Sequence, residues 1–114
     1  MAQLLHPVPS DAWLKDNQAW SAGKSLLYVI QEGESGPLKV GVAGHPVRRL
    51  ASLQCGNHRK LHLRAVFRGA CLGDAAAVEK QALESFKSHR LLGEWMNVPA
   101  STLLAFLRLF AEDV

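Results

Sequence analysis

The clearest pattern in the chain is a pair of short apolar runs separated by turn-forming residues. The runs cover residues 26–30 and 38–43, and the segment between them contains two glycines, a serine and a proline. Because such residues favour turns, the pattern predicts a β-hairpin. Side chains alternate across a strand, so Tyr28 lies on one face of the first strand and Lys39 on one face of the second. If these two faces coincide, Tyr28 and Lys39 become neighbours.

A helix and a third strand follow the hairpin. Residues 46–55 fit a helix that Pro46 begins and that Gly56 and Asn57 end. Residues 61–67 alternate in a way that predicts a strand. One face of this strand is expected to carry Leu61, Leu63, Ala65 and Phe67, and the other face His62, Arg64, Val66 and Arg68.

Apolar spacings of three and four residues predict two further helices, over residues 74–89 and 100–111. Asp74 is expected to cap the first of them. Glu79 is adjacent in sequence to the apolar Val78, so it lies about 100° around this helix, at the edge of the buried stripe. Another short helix is expected to begin at Ser10. The chain is therefore predicted to have a mixed α/β (α+β) fold, with a small three-stranded antiparallel sheet flanked by helices.

Composition limits the domain organisation and the class of partner. A chain of 114 residues that is 48% hydrophobic suits one domain, predicted over residues 25–114 after a lead-in of residues 1–24. The net charge of +3 is mild, but basic side chains crowd the middle third of the chain. They are Arg48, Arg49, His58, Arg59, Lys60, His62, Arg64 and Arg68. The cluster fits either a face that binds nucleic acid or an ordinary solvated surface, and charge alone leaves both interpretations open.

The cysteines and the hydrophobic runs point to a cytoplasmic protein. Only Cys55 and Cys71 are present, and the sequence shows no secretion signal, so both thiols are expected to be free. The apolar run near the end of the chain is broken by Arg108 and is far shorter than the roughly 20 residues that cross a bilayer. No membrane partner is expected, and the oligomeric state is not indicated.

Four residues offer a possible zinc site. Cys55, His58, His62 and Cys71 provide the two sulfurs and two nitrogens that tetrahedral zinc accepts. The predicted third strand separates His62 from Cys71, which makes the geometry awkward. A small zinc-stabilised binding module therefore remains an alternative hypothesis.

Several motifs in order resemble the GIY-YIG nuclease superfamily, and in particular its bacterial and phage branch with a KIG-like second motif. Residues 28–30 read YVI and residues 39–41 read KVG, and Arg49 follows Lys39 by ten residues. Residues 53–57 read LQCGN, and residues 93–96 read GEWM, which is similar to the glycine-glutamate-tryptophan-phenylalanine element of that branch. Glu79 stands on a helix where the family places its metal-binding glutamate.

The resemblance implies a metal-dependent endonuclease that hydrolyses DNA, and the branch it resembles suggests a phage or mobile-element origin. In this sequence Tyr28 would be the general base, helped by the positive charge of Lys39, and Arg49 would brace the phosphate. Glu79 would hold Mg²⁺ or Mn²⁺. The DNA is expected to contact a set of basic residues, namely Arg48, His58, Arg59, Lys60 and Arg64.

Two departures from the family pattern support a second hypothesis. Leu83 stands where many members of the branch carry a histidine, and Ala43 stands where serine or threonine is common. A catalytically impaired member of the fold, binding nucleic acid or a protein as a regulator, is therefore an alternative to an active nuclease. Three of the site residues also have a structural interpretation: Tyr28 as a packed strand residue, Arg49 as a surface residue with Arg48 as its rival, and Glu79 as a solvated helix residue. Glu94 and Trp95 are expected to be structural, with Glu94 pairing with a basic group.

Overall fold

In the computed structural model of the protein, the described residues are 26–69, 75–91 and 93–113. The helix predicted to begin at Ser10, the predicted cap Asp74 and the cysteine Cys71 lie outside this part of the chain. None of the helices within it has the length and apolar character that crossing a membrane would require.

The described elements form an antiparallel sheet with helices. The strands are β1 (Leu26–Glu32), β2 (Leu38–Ala43), β3 (Leu61–Gly69), β4 (Trp95–Met96) and β5 (Ala111–Asp113). The helices are α1 (Pro46–Cys55), α2 (Ala75–Ser85) and α3 (Ala100–Leu107), and a single 3-10 turn covers Lys87–His89. The strand order is β4-β2-β1-β3-β5.

The hairpin of β1 and β2 has the register on which the site depends. Tyr28 lies opposite Gly41, and Ile30 lies opposite Lys39. Tyr28 and Lys39 therefore share one face of the sheet as diagonal neighbours, which confirms the predicted coincidence of the two faces.

A β-bulge in β3 changes the predicted pattern of its faces. Val29 pairs with Ala65 whereas Ile30 pairs with Leu63, so Arg64 is an extra residue on β3. Leu63 consequently packs on the same side as Ile30, while Ala65 packs in the core on the other side. The predicted strict alternation from Leu61 to Arg68 was wrong, because one inserted residue reverses the side on which every following side chain lies.

Helices cover both faces of the sheet. The larger core lies on the face that carries Leu27, Val29 and Phe67, and α2 and α3 pack there. The smaller core lies on the opposite face, where Leu50 and Leu53 of α1 pack against Tyr28 and Ile30. The residues that α2 and α3 bury in the larger core are Ala75, Val78, Ala82, Leu103, Leu104 and Leu107.

The α+β class is as predicted, but the sheet formed by the described residues has five strands rather than three. The two additional strands, β4 and β5, contain two and three residues, which is too short for an alternating pattern to be visible in the sequence. The last helix ends at Leu107 instead of Ala111 because Ala111 pairs with Gly69 as part of β5. The helix predicted over residues 74–89 is α-helical only as far as Ser85 and then tightens into the 3-10 turn.

The LQCGN stretch holds the loop between α1 and β3. The Gln54 side chain donates to the carbonyls of Asn57 and Arg59 and accepts from the amide of Leu61. The Asn57 side chain in turn donates to the carboxylate of Glu32 at the end of β1. This motif therefore fixes the far end of α1 to the sheet.

Candidate active site

Tyr28 occupies the centre of the face covered by α1. Its side chain is only 1% exposed and its ring lies across the neighbouring strand, over Gly41. A Cβ on Gly41 would overlap the ring and the hydroxyl, so the absence of a side chain at this position makes room for the phenol.

Arg49 reaches the hydroxyl of Tyr28 from the first turn of α1. The helix begins at Pro46, whose fixed φ suits the first helical position, and the His45 side chain caps it by accepting from the backbone N–H of Arg48 at 3.3 Å. The Arg49 guanidinium donates a hydrogen bond to Tyr28, and this contact is the main cause that raises the pKa of Arg49. The negative charge of Glu94 raises the same pKa by a smaller amount.

Lys39 is held by Glu94. The Lys39 Nζ and the Glu94 Oε1 are 2.9 Å apart, and the lysine side chain is 13% exposed. Glu94 is placed by a tight turn, in which Gly93 has a φ of 70°, and by β4, in which Trp95 pairs with Lys39. A non-glycine residue at position 93 would be strained at this φ.

Glu79 belongs to α2 in the other layer, yet its carboxylate responds to the same charges. Burial raises the pKa of Glu79, the negative charge of Glu94 raises it further, and the ammonium of Lys39 partly opposes the rise. Glu79 is therefore close enough to interact electrostatically with Lys39, which pairs with Trp95 of β4 at this edge of the sheet.

The structure thus brings Tyr28, Lys39, Arg49 and Glu79, which are far apart in the sequence, into one electrostatically connected group. Glu94 connects them, since it bonds to Lys39 and acts on the charges of both Arg49 and Glu79. From the sequence alone, Glu94 is expected to be structural and to pair with a basic group. The pairing is observed, but its position within the site was missed, although the GEWM motif was a signal.

Comparison with known proteins identifies the family. Residues 25–111 match the T5orf172 domain, a domain found in phage-related and nuclease-like proteins. The chain belongs to the T5orf172 domain family. No curated protein and no solved structure gives a significant match.

The acidic groups of this T5orf172 domain fit a hard divalent cation. Glu79 provides carboxylate oxygens, and burial raises its pKa with a further rise from the negative charge of Glu94, so a cation beside Glu79 would be stabilised. No cluster of three or more His, Cys, Asp or Glu side chains suited to a metal occurs in the described residues. Mg²⁺ and Mn²⁺ suit such a sparse site, since Mg²⁺ commonly uses one or two carboxylates and keeps several waters.

The basic residues predicted to bind nucleic acid fall in three places in the T5orf172 domain. Arg48 is exposed beside Arg49 at the start of α1, whereas His58, Arg59 and Lys60 are exposed in the loop after its end. A helix of ten residues separates these two positions by about 15 Å. Arg64 is used within the fold.

The Arg64 guanidinium, which lies at the bulge in β3, binds the end of the β1–β2 hairpin. Its Nε donates to the side-chain carbonyl of the buried Gln31 at 2.9 Å, and its Nη2 donates to the carbonyl of Gly33 at 3.4 Å. Arg64 and Lys60 also add to the effect of burial in lowering the pKa of His62. These contacts give Arg64 a structural role in joining β3 to the end of β1.

The described cysteine and histidines give no support to the zinc hypothesis. Cys55 is exposed with a free thiol, and it does not form a metal-binding group with His58 and His62 among the described residues. The fourth predicted ligand, Cys71, lies outside them.

Proposed function

We propose that this T5orf172 domain is a GIY-YIG-type endonuclease that hydrolyses DNA phosphodiester bonds with Mg²⁺ or Mn²⁺. The observation that carries the proposal is the electrostatic connection of Tyr28, Lys39, Arg49 and Glu79 through Glu94. Phosphodiester hydrolysis needs a base, cationic groups for the phosphate and a site for a metal, and this group contains all three.

Arg49 and Tyr28 act together on the incoming phosphate. In the resting structure, Arg49 bonds to Tyr28, whose side chain is buried. A phosphate accepts two parallel hydrogen bonds from a guanidinium, which is a stronger interaction than one bond to a phenol. Arg49 therefore turns from Tyr28 to the phosphate on substrate binding, and the phenolic oxygen becomes accessible to the attacking water. Tyr28 loses its phenolic proton to solvent, and the resulting phenolate takes a proton from that water as the water oxygen bonds to phosphorus and the bond to the departing oxygen breaks.

Lys39, Glu79 and Glu94 control charge beside the reacting phosphate. Glu94 keeps the Lys39 ammonium on the Tyr28 face, where its positive charge lies next to the attacking water. Glu79 would hold the divalent ion through its carboxylate oxygens. The chemistry supplied by Mg²⁺ or Mn²⁺ at this place is neutralisation of negative charge on the scissile phosphate and on the departing oxygen.

Plasmid nicking tests the proposal. We expect the purified protein to convert supercoiled plasmid to open circles with Mg²⁺ or Mn²⁺ and not with EDTA. Arg49→Lys keeps the charge but loses the planar pair of donors, so it should reduce the rate on the order of 100-fold. The matched control is Arg108→Lys, because Arg108 pairs with Asp113 on the other side of the sheet. Equal rates for the Arg49→Lys variant and the parent would exclude the proposed role of Arg49.

A catalytically impaired regulator of the same fold is the second candidate. Leu83 in the place of a family histidine and the burial of Tyr28 beneath Arg49 both favour it. This candidate predicts DNA binding with no nicking under any divalent metal. An assay that measures binding and nicking on the same plasmid therefore separates the two functions.

A further inference from the structure

We propose that an open groove at the start of α1 binds a second phosphate of the DNA strand, next to the phosphate that is cleaved. The groove has a volume of about 300 Å³ and is lined by His45, Arg48, Arg49 and Ser52. The inference rests on the proposed function, since it takes a nucleic-acid strand as the ligand. It assigns a binding role to His45, Arg48 and Ser52, which take no part in the proposed chemistry.

The lining of the groove suits an anion. The described residues that line it offer two guanidinium groups, a hydroxyl and an imidazole, and no carboxylate. Arg48 and Ser52 are four residues apart, so their side chains project from the same side of α1. The guanidinium of Arg48 is used by none of the hydrogen bonds or ion pairs within residues 26–69, 75–91 and 93–113, and it is exposed. Within that part of the chain, all of its donors are therefore available to a ligand.

His45 adds a directed donor to this groove. Its Nδ1 accepts a hydrogen bond from the backbone N–H of Arg48 at 3.3 Å. In a neutral imidazole one nitrogen accepts and the other carries the proton, so Nε2 is the donor. The helix cap thus fixes the tautomer that offers an N–H to an oxygen of the ligand.

The position and shape of the groove identify the anion as part of a polymer backbone. Arg49 lines the groove and also bonds to Tyr28, so a phosphate in the groove lies beside the proposed reacting phosphate. The groove is open to solvent along the helix, so a strand can enter and leave it. A phosphodiester that follows or precedes the cleaved one meets both conditions.

The salt dependence of DNA binding tests this inference. Fluorescence anisotropy of a short labelled duplex, measured without added metal in a Glu79→Gln background, gives the slope of log Kobs against log salt. One phosphate contact contributes about 0.9 to that slope, so Arg48→Ala should reduce its magnitude by about 0.9. Arg48→Lys should restore the slope, because lysine still neutralises one phosphate. The matched control, Arg108→Ala, should leave the slope unchanged. An Arg48→Ala slope equal to that of the parent overturns the proposal.

Replacing one phosphodiester of the duplex by an uncharged linkage locates the phosphate that the groove binds. Duplexes with one methylphosphonate at successive positions around the cleaved bond should lose affinity for the parent at the linkage next to that bond. The Arg48→Ala variant should show no further loss at that linkage, because the contact is already absent. If the parent and the Arg48→Ala variant lose the same affinity at that linkage, the assignment is overturned.

The outcomes for the groove and for the catalytic proposal are separate. Normal nicking by the parent with an unchanged slope for Arg48→Ala removes the groove and keeps the endonuclease. A reduced slope for Arg48→Ala, together with no nicking by the parent, keeps the groove and removes the catalysis.

Discussion

The ring of Tyr28 fills the space that a side chain on Gly41 would need. The two residues lie opposite each other in β1 and β2, and a Cβ on Gly41 would overlap the ring and its hydroxyl. The position of the proposed base therefore depends on a residue of the neighbouring strand that has no side chain.

Gly41→Ala should displace the Tyr28 ring and break its contact with Arg49. Because the site is fully packed, overpacking should lower the free energy of unfolding by about 1–3 kcal/mol. Nicking should fall by more than the loss of folded protein explains. Urea denaturation and nicking at a temperature where the variant is folded measure the two effects.

Gly44→Ala is the control for this substitution. A Cβ on Gly44 meets no atom within 4 Å, so both stability and nicking should stay close to those of the parent. An active Gly41→Ala variant would show that the observed position of the Tyr28 ring is not needed for activity.

Glu79→Gln should abolish nicking and make the protein more stable at neutral pH. The pKa of Glu79 is raised above 4.5, so the folded protein binds this proton more tightly than the unfolded chain does. Above the folded-state pKa, the ionised carboxylate costs stability that a neutral amide does not. Since the group is only half-buried, solvent screening limits the gain to at most about 1 kcal/mol. The gain should disappear as the pH falls below 4.5.

Thermal denaturation of the parent and the Glu79→Gln variant between pH 4 and pH 8 measures this difference. Glu84→Gln is the matched control, because Glu84 lies on the same helix in an exposed ion pair with Lys87. That control should keep full nicking activity. A Glu79→Gln variant less stable than the parent at pH 7 would contradict the proposed cost of the charge.

Glu94→Gln should change the pH dependence of the nicking rate, so that the loss of activity on the acid side occurs at lower pH. Activity requires ionised Glu79, and the charge of Glu94 helps to raise the pKa of Glu79. Removing that charge lowers the pKa of Glu79, and it also leaves the Lys39 ammonium without its partner. A merely structural role of Glu94 would reduce activity equally at every pH, so the shift of the acid-side loss decides between the two roles.

Arg64→Ala should destabilise the protein without weakening DNA binding. The substitution leaves the side-chain carbonyl of Gln31 without its partner in a residue that is 4% exposed. An unsatisfied buried acceptor costs about 1–3 kcal/mol. Urea denaturation should show this loss, while the salt dependence of duplex binding should match that of the parent. A reduced slope would restore Arg64 to the nucleic-acid contacts predicted from the sequence.

The hairpin and α1 could be predicted from the sequence because strong local signals determine them. Glycine and proline separate β1 from β2, and Pro46 begins α1 at the predicted residue. The period of two in a strand assigned Tyr28 and Lys39 to one face of their own strands, and the register shows that these two faces coincide. The edge position predicted for Glu79 agrees with its half-buried state in α2.

The remaining features depend on contacts between distant parts of the chain. The strands β4 and β5 exist because Trp95 and Ala111 find partners on β2 and β3, and no local pattern indicates such short pairings. The central position of Glu94 arises from the same edge pairing. The bulge at Arg64 was invisible because the strand remains apolar on both sides of it.

Because of that bulge, β3 contributes to both cores. Its first half packs in the core beneath α1, and its second half packs in the core beneath α2 and α3. A relative shortened by one residue at Arg64 would have to exchange one of these halves with solvent or rebuild an entire layer. The number of residues in β3 at this point is therefore constrained more strictly than their type.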